Sequence, residues 1–212
     1  MRTQNNNEVW IVDYGAGNIG SLMSAIRNIN LSPRIASNDS HLIEATNIIF
    51  PGVGASKPAM ETLNKTFSKE VLDSLTDASK KVLGICLGMQ LFMEKSFENI
   101  ETECLNFLEG DVVKIPLNKQ IKVPRIGWYP IYSSHPNSSV FKIGNENLEN
   151  HEFYFAHSYY VNSKNEDECF YRTSDLGIPA IVKKGNLIGV QFHPEKSGPI
   201  GLRLLHNLFG SG

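Results

Sequence analysis

Residues 83–90, LGICLGMQ, decide how this chain is interpreted. The segment is typical of an apolar strand that enters a tight turn at Cys86, with a helix beginning behind it. A strand–turn–helix corner of this kind exposes a nucleophile at the edge of a sheet. Gly84 and Gly88 flank the cysteine where a side chain would crowd the turn or a substrate. Free backbone N–H groups at the helix start, including that of Leu87, would favour a thiolate.

A second motif lies near the end of the chain, at residues 189–197, GVQFHPEKS. Its apolar run ends at His193, and Glu195 follows two residues later, so in extended chain both side chains point the same way. A carboxylate so placed can hold an imidazole in one tautomer while the imidazole deprotonates a nucleophile. The two motifs together predict a catalytic triad of Cys86, His193 and Glu195.

Length and charge limit the class of protein. The chain has 212 residues, 41% of them apolar, and a net charge of −2. This size suits one compact domain, predicted over residues 9–212. Residues 1–8 are predicted to be a short disordered lead-in, because they lack the apolar core of a signal peptide. No strongly basic field and no run of about 18 apolar residues is present, so neither a nucleic acid nor a membrane is expected as a partner.

The cysteines indicate the compartment. Cys86, Cys104 and Cys169 are an odd number without framework spacing, which predicts a reducing cytoplasm. Cys104 and Cys169 lack glycine-flanked turns, and we interpret both as structural or incidental.

The first half of the chain alternates strands with helices. Predicted strands are followed by predicted helices as far as Cys86; the strands are residues 9–12, 33–36, 47–50 and 81–85, and the helices fall within 19–30, 38–45 and 56–80. Such alternation predicts a parallel sheet with ligands beyond the carboxyl ends of the strands. Cys86, the loop at 51–54 and the loop at 13–18 all follow strand ends, so they should share one rim.

The second half contains short strands instead. They are predicted at residues 111–115, 153–161, 169–173, 180–183 and 187–192, with turn signals between them and a final helix at 198–209. Residues 118–150 are rich in Pro, Ser and Asn and predict loops around a short strand.

Two glycine-rich loops could carry function. Residues 15–20, GAGNIG, spell a dinucleotide fingerprint, but no acidic residue ends the next strand as that site requires. A surface that meets a partner protein, including Asn18, is the favoured interpretation. In residues 51–54, PGVG, the two glycines let the backbone present a donor to a tetrahedral intermediate. A plain strand-to-helix turn is the alternative for that loop.

The motifs resemble those of class I glutamine amidotransferases. The similarity covers residues 9–209. Within this class, the chain most resembles the glutaminase subunit of imidazole glycerol phosphate synthase. Six segments carry that resemblance: 13–18 DYGAGN, 51–54 PGVG, 84–90 GICLGMQ, 123–128 VPRIGW, 153–159 FYFAHSY and 191–197 QFHPEKS. The resemblance implies a flavodoxin-like α/β fold. A mostly parallel central sheet would be flanked by helices, with additional antiparallel strands in the C-terminal half.

The resemblance also implies an activity and a set of site residues. The triad would hydrolyse L-glutamine without a metal or cofactor, and backbone groups of Gly52, Val53, Gly54 and Leu87 would hold the oxyanion. Gln90, one helical turn past Cys86, would orient the substrate with His157, Ser158 and Tyr159. His157 could instead be a hydrogen-bonded core histidine. Asn18, Trp128, Tyr154 and Lys196 are expected at a partner interface, where exposed aromatic residues are enriched.

The implied partner is a barrel-shaped cyclase subunit that uses the ammonia in histidine biosynthesis. Two departures from the family pattern lie where the resemblance implies contact with that partner. Arg125 stands where the family commonly has histidine, and Tyr129-Pro130 stands where it has asparagine after Gly-Trp. An alternative acceptor is a sugar amidotransferase of surface-polysaccharide biosynthesis. A glutaminase-like binding module with a dead site is a further alternative, against which the intact triad argues.

Overall fold

The computed structural model describes residues 7–15, 18–116, 122–134, 142–143 and 146–210. The strands are β1 (Glu8–Val12), β2 (Ser32–Ala36), β3 (Asn47–Phe50), β4 (Lys81–Ile85), β5 (Lys95–Ser96), β6 (Thr102–Glu103), β7 (Gly110–Lys114), β8 (Arg125–Ser133), β9 (Lys142–Ile143), β10 (Glu146–Asn147), β11 (Glu152–His157), β12 (Tyr159–Ser163), β13 (Cys169–Thr173), β14 (Pro179–Lys184) and β15 (Leu187–Val190). The α-helices are α1 (Ile19–Asn28), α2 (Asp39–Glu44), α3 (Ser56–Thr66), α4 (Lys69–Asp73), α5 (Leu87–Gln90) and α6 (Gly198–Phe209). Short 3₁₀ turns lie at Ser74–Thr76, Glu166–Glu168 and Pro194–Lys196.

The large sheet joins the two halves of the chain. Its order is β11-β8-β13-β14-β15-β4-β3-β1-β2. The strands from β15 to β2 pair in parallel, and those from β11 to β15 pair antiparallel. This arrangement confirms the predicted α/β class, with a parallel part from the first half and additional antiparallel strands from the second. A smaller sheet, β12-β7-β5-β6, lies beside it.

Neighbouring residues of each strand point to opposite sides of the large sheet, and helices cover both of these faces. On one face, Ile48 and Phe50 pack with Leu63 of α3. On the other, Ile49 packs in a cluster with Ile26 of α1 and Leu204 of α6. Fully buried apolar strands between two helical layers are what a parallel sheet requires.

Side-chain caps begin the first two helices, α1 and α2. Asn18 Oδ1 accepts from the backbone N–H of Ser21 at 3.2 Å, and Asn38 Oδ1 accepts from that of His41 at 3.2 Å. Each bond satisfies one of the free N–H groups at a helix start. The cap at Asn18 fixes the entry into α1 beside the rim on which Cys86 lies.

Three boundaries differ from the sequence prediction. Residues 125–133, predicted as part of a loop region, form β8, the longest strand of the described chain. The single strand predicted at 153–161 is two strands, because β11 pairs with β8 whereas β12 pairs with β7 in the other sheet. The break falls at Ser158. The helical stretch predicted at 56–80 is divided into α3, α4 and a 3₁₀ turn.

The first strand begins within the predicted N-terminal lead-in. β1 begins at Glu8, whose carboxylate pairs with Arg34 at 3.0 Å, so the predicted lead-in overlaps the first strand by one residue. Residues 1–6 of that lead-in and residues 16–17 of the glycine-rich loop at 15–20 lie outside the described residues. No helix in the described part of the chain combines the length and apolar character needed to cross a bilayer.

Candidate active site

Cys86 occupies a sharp corner between β4 and α5. Its backbone angles are φ 49° and ψ −102°, a conformation that is rare for a residue with a side chain. A Cβ on Gly84 would lie 2.6 Å from the backbone N of Met89, and one on Gly88 would lie 2.1 Å from the carbonyl oxygen of Phe50. Both glycines are therefore needed for the corner to close against its own helix and against β3.

His193 and Glu195 lie at the end of β15, next to that corner. The backbone N–H of His193 donates to the Tyr154 carbonyl at 2.8 Å, and its Nδ1 lies 2.9 Å from Glu195 Oε1. The chain between them is a 3₁₀ turn rather than the extended segment that the sequence predicts. The carboxylate nevertheless reaches the imidazole, so the predicted contact forms by a different backbone path.

The charge state of His193 depends on its two neighbours. Burial disfavours the imidazolium, but the Cys86 side chain and the Glu195 carboxylate outweigh burial and raise the pKa of His193 to about 9. Among the described residues, Nε2, the nitrogen opposite the carboxylate, has no hydrogen-bond partner within normal distance. His193 is therefore protonated at neutral pH, with Nε2–H available for transfer to a reacting group.

A cavity of about 260 Å³ opens in front of Cys86. All eight residues predicted for the oxyanion and substrate sites line it: Gly52, Val53, Gly54, Leu87, Gln90, His157, Ser158 and Tyr159. The sequence prediction missed Glu98, Pro124, Ile126 and Ala156, which line it as well. Glu98 brings a carboxylate into the cavity from the segment between β5 and β6, and its Oε2 accepts from the backbone N–H of Ser56 at 2.8 Å. No local pattern marks Glu98, because its position depends on tertiary packing.

His157 is both a core residue and a cavity residue. Its Nδ1 lies 2.8 Å from the Tyr159 carbonyl oxygen, which can only accept, so Nδ1 carries the proton. Its Nε2 has no hydrogen-bond partner in the part of the chain that the structure describes. Burial lowers the pKa of His157 to about 4; Arg125 and His193 act in the same direction, while the Tyr159 carbonyl opposes them. The ring is therefore neutral at physiological pH and offers an acceptor nitrogen.

The loop at 51–54 is held tightly against the corner. A Cβ on Gly52 would lie 1.8 Å from the Ile85 carbonyl oxygen, so no other residue fits there. The Tyr14 hydroxyl, which is buried, donates to the Pro51 carbonyl. Burial, together with the nearby Cys86, raises the pKa of Tyr14 and keeps the phenol protonated as a donor. The loop at 13–15 therefore contacts the candidate oxyanion strand directly.

Three of the four predicted interface residues form one surface cluster. The rings of Trp128 and Tyr154 lie 6.0 Å apart, and Lys196 Nζ lies 5.9 Å from the Tyr154 ring centroid. Trp128 is 49% exposed, and Ile126, on the same face of β8, is 59% exposed and reaches the cavity. Asn18 lines a groove together with Glu195, which directly precedes Lys196 in the chain.

Arg125 is not at the surface, contrary to what the resemblance predicts for this position. It is 2% exposed, pairs with Asp175 at 2.5 Å, and stacks 3.6 Å from the centroid of the Tyr129 ring. On β8 it points away from Ile126 and Trp128, since neighbouring strand residues face opposite sides. The departures at Arg125 and Tyr129 therefore pack against each other beneath the exposed cluster.

Comparison with known proteins agrees with this geometry. The family model for class-I glutamine amidotransferases matches residues 10–210. The imidazole glycerol phosphate synthase subunit HisH of Oceanobacillus iheyensis is 43% identical over 92% of this chain and 94% of its own length. That of Listeria innocua is 37% identical over 92% and 91%.

Solved structures show the same fold at lower identity. A crystal structure of a glutamine amidotransferase superposes with a TM-score of 0.73 at 19% identity, covering 96% of this chain and all of the other. PurLQS from Thermotoga maritima gives a TM-score of 0.71 at 18% identity, covering 95% and 96%. The chain belongs to the class-I glutamine amidotransferase family and, within it, to the HisH subunits of imidazole glycerol phosphate synthase.

Proposed function

We propose that this chain releases ammonia from L-glutamine and supplies it to a separate cyclase subunit in histidine biosynthesis. The observation that carries the proposal is the cavity itself. It places Cys86, beside the buried His193–Glu195 pair, in the same space as a carboxylate and an amide that can hold an amino acid. A nucleophile, a proton carrier and an orienting carboxylate are the parts that covalent amide hydrolysis needs.

Acylation uses the protonated His193. The Cys86 sulfur attacks the side-chain carbonyl carbon of glutamine, a C–S bond forms, and the carbonyl electrons move to oxygen. Backbone N–H groups of Val53 and Leu87, both of which line the cavity, would hold that oxyanion. The intermediate then collapses, the C–N bond breaks, and Nε2 of His193 gives its proton to the leaving nitrogen, which departs as ammonia.

Deacylation returns the site to its starting state. Neutral His193 takes a proton from water as the oxygen attacks the thioester carbon. The C–S bond breaks, sulfur leaves as thiolate, the new γ-carboxyl group loses its proton to solvent, and glutamate departs while His193 is again imidazolium. Glu195 stabilises that charge in both halves of the reaction because its carboxylate stays on Nδ1.

Two side chains in the cavity fit an amino-acid substrate. Glu98 is its acidic lining residue and suits the α-ammonium of glutamine. Gln90 Nε2 donates to the Tyr159 carbonyl at 2.9 Å and to Gln191 Oε1 at 3.2 Å. Both amide hydrogens are used, so Gln90 has its Oε1 left and accepts from an N–H of the substrate. His157, Ser158 and Tyr159 complete the wall beside Gln90.

The cluster of Trp128, Tyr154 and Lys196 supports a partner site next to the cavity. We define these three residues with Ile126 as the rim cluster. Its mixture of an exposed indole, a half-buried tyrosine ring and one cation is typical of an interface, and the HisH relatives are named as subunits of a synthase. We assign it to a barrel-shaped cyclase in a heterodimer, with Asn18 at the edge of the same interface. Residues 9–212 act as one cytoplasmic domain.

Glutamate release tests the proposal. The chain is assayed alone and with the cyclase subunit of the same organism plus its nucleotide substrate, and Cys86→Ala serves as the inactive control. Release by the wild-type complex and its loss in Cys86→Ala are expected. Absence of glutamate from the wild-type complex, or equal release by Cys86→Ala, would contradict it.

A further inference from the structure

A buried side-chain amide contacts the nucleophilic sulfur. Gln191 is 0% exposed, and its Nε2 lies 3.6 Å from Cys86 Sγ. The contact follows from strand register: Ile85 pairs with Val190 in the parallel ladder, so the next residue on each strand stands beside the other. The backbone confirms this alignment, since the Cys86 N–H donates to the Val190 carbonyl at 2.7 Å.

The direction of this hydrogen bond is fixed by a backbone carbonyl. The Tyr159 carbonyl can only accept, so the nitrogen of Gln90 must face it. The same nitrogen donates to Gln191 Oε1, which leaves the NH₂ group of Gln191 facing the sulfur. Reversal of the Gln191 amide would put two NH₂ groups against each other. The chain of amides therefore presents a donor, not an acceptor, to Cys86.

A second contact distinguishes the two protonation states of the sulfur. The Ala156 carbonyl oxygen lies 3.9 Å from Sγ and accepts only from a thiol S–H. A thiolate has no proton for that carbonyl, but it is a stronger acceptor for the Gln191 N–H. The Gln191 contact therefore favours the reactive form, whereas the Ala156 contact favours the resting thiol.

We propose that Gln191 is a catalytic residue whose side-chain N–H stabilises the Cys86 thiolate before attack and again as sulfur leaves the acyl-enzyme. In the first step the bond weakens as the C–S bond forms. In the second it strengthens as the C–S bond breaks and the electron pair returns to sulfur. The second role depends on the proposed glutaminase activity; the first is a property of the free chain.

Alkylation of Cys86 by iodoacetamide as a function of pH tests the first role without glutamine. Gln191→Met removes the donor at similar length, and Gln191→Glu puts an acceptor in its place. We expect the midpoint of the alkylation profile to move up by about one pH unit in Gln191→Met, a tenfold slower reaction at neutral pH. Gln191→Glu should move it further. The titratable groups that act on Cys86, His193 with its partner Glu195 and the Tyr14 phenol, are the same in Gln191→Met, whereas Gln191→Glu adds one carboxyl to them.

One control variant and the two other cysteines of the chain serve as controls. Asn186→Leu removes the hydrogen bond that the Asn186 side-chain amide donates to the Leu75 carbonyl. Asn186 directly precedes β15, and this variant should leave the alkylation profile of Cys86 unchanged. Alkylation of Cys104 and Cys169, read from their own peptides, should not change either. If the Gln191 variants do not fold, the NMR signal of the Gln191 side-chain amide is followed in the wild-type chain as the pH is changed. This signal should shift at the same pH as the midpoint of Cys86 alkylation, and an invariant signal overturns the proposal.

Glutamate release, measured in parallel, separates this inference from the proposed function. An unchanged profile and rate in both Gln191 variants, with an active wild-type complex, overturn the role of Gln191 and leave the function standing. A shifted profile with no glutamate from any form would instead reject the function and support the donor role.

Discussion

His193 Nδ1 lies 2.9 Å from Glu195 Oε1, and the two side chains are 1% and 6% exposed. At this burial the carboxylate is only weakly screened by solvent, so it acts strongly on the imidazole. It also fixes which nitrogen faces Cys86. Removing its charge while keeping its shape should therefore affect both the pKa and the orientation of His193.

Glu195→Gln is expected to reduce glutamate release by about 10²–10⁴-fold and to lower the pKa of His193 from about 9. The basic limb of the pH–rate profile should move to lower pH by the same amount, because the proton donor is lost earlier. Glu103→Gln, which neutralises an exposed carboxylate paired with Lys95, is the matched control and should keep the wild-type profile. A Glu195→Gln enzyme with wild-type rate and profile would contradict the triad.

His157 should make the fold sensitive to acid. Its pKa in the folded chain is about 4, below the value of 6.5 for a free imidazole, so the unfolded state binds the proton first. The stabilisation from the neutral ring is complete above pH 6.5 and is lost as the pH falls towards 4. Urea unfolding across this range should show that His157→Gln loses less stability than wild type, by up to about 3 kcal/mol. Parallel curves for the two proteins would contradict this.

A glutamine-like electrophile should label Cys86 and leave the other two cysteines unmodified. Burial and the Glu103 carboxylate raise the pKa of Cys104 to about 12, and burial also raises that of Cys169. Neither forms a thiolate at neutral pH. Peptide mass mapping after reaction at pH 7 measures the three sites, and Cys104→Ser should label as wild type does. Equal modification of Cys104 would show that the reagent does not select the cavity.

Trp128→Ala should weaken the complex with the cyclase subunit by about 1–3 kcal/mol, because large exposed aromatic residues dominate interface energies. Ile43→Ala is the control, because Ile43 is 61% exposed on α2 but lies far from the cavity. Its carbonyl accepts from Lys80, which precedes β4 at the end of that strand opposite Cys86. Titration calorimetry with the partner compares the two. Equal affinities for both variants would place the interface elsewhere.

The isolated chain should be a poor glutaminase that its partner and acceptor ligand activate by about 10²–10³-fold. Ammonia released into water is mostly protonated, and a peptide turn within residues 51–54 can present or withdraw one oxyanion donor. Tyr14→Phe, which frees the Pro51 carbonyl, should change this ratio. Steady-state glutamate production is measured alone, with partner, and with partner and ligand. Full activity of the chain alone would exclude such a gate.

The sequence alone predicts the candidate site where that site depends on the local backbone. Cys86 and His193 each follow an apolar strand, and the glycines around Cys86 indicate a tight corner. Gln191 and Glu98 were missed because each acts through a neighbour far away in the chain. The parallel register of β15 on β4 puts Gln191 beside the sulfur, and packing between β5 and β6 brings Glu98 to the cavity. Neither register nor packing has a local signature.

The same reasoning explains the errors in the fold. Residues 118–150 predict loops around a short strand because they are rich in Pro, Ser and Asn, whereas β8 extends over nine residues because its pairing with β11 and β13 supplies hydrogen bonds on both sides. The apolar alternation of residues 153–161 continues through Ser158, so it could not reveal that the chain changes sheets there. Strand partners, rather than propensity, decided both cases.

The adjacency of β4 and β15 also matters while the protein is being made. Synthesis proceeds from the N-terminus, so Cys86 and its corner leave the ribosome well before His193 and Gln191. Until β15 arrives, β4 has no neighbour on that edge, and the cysteine has neither its proton carrier nor its amide donor. We therefore expect that a partly translated chain cannot consume glutamine, and that hydrolysis begins only when β15 has been added to the sheet.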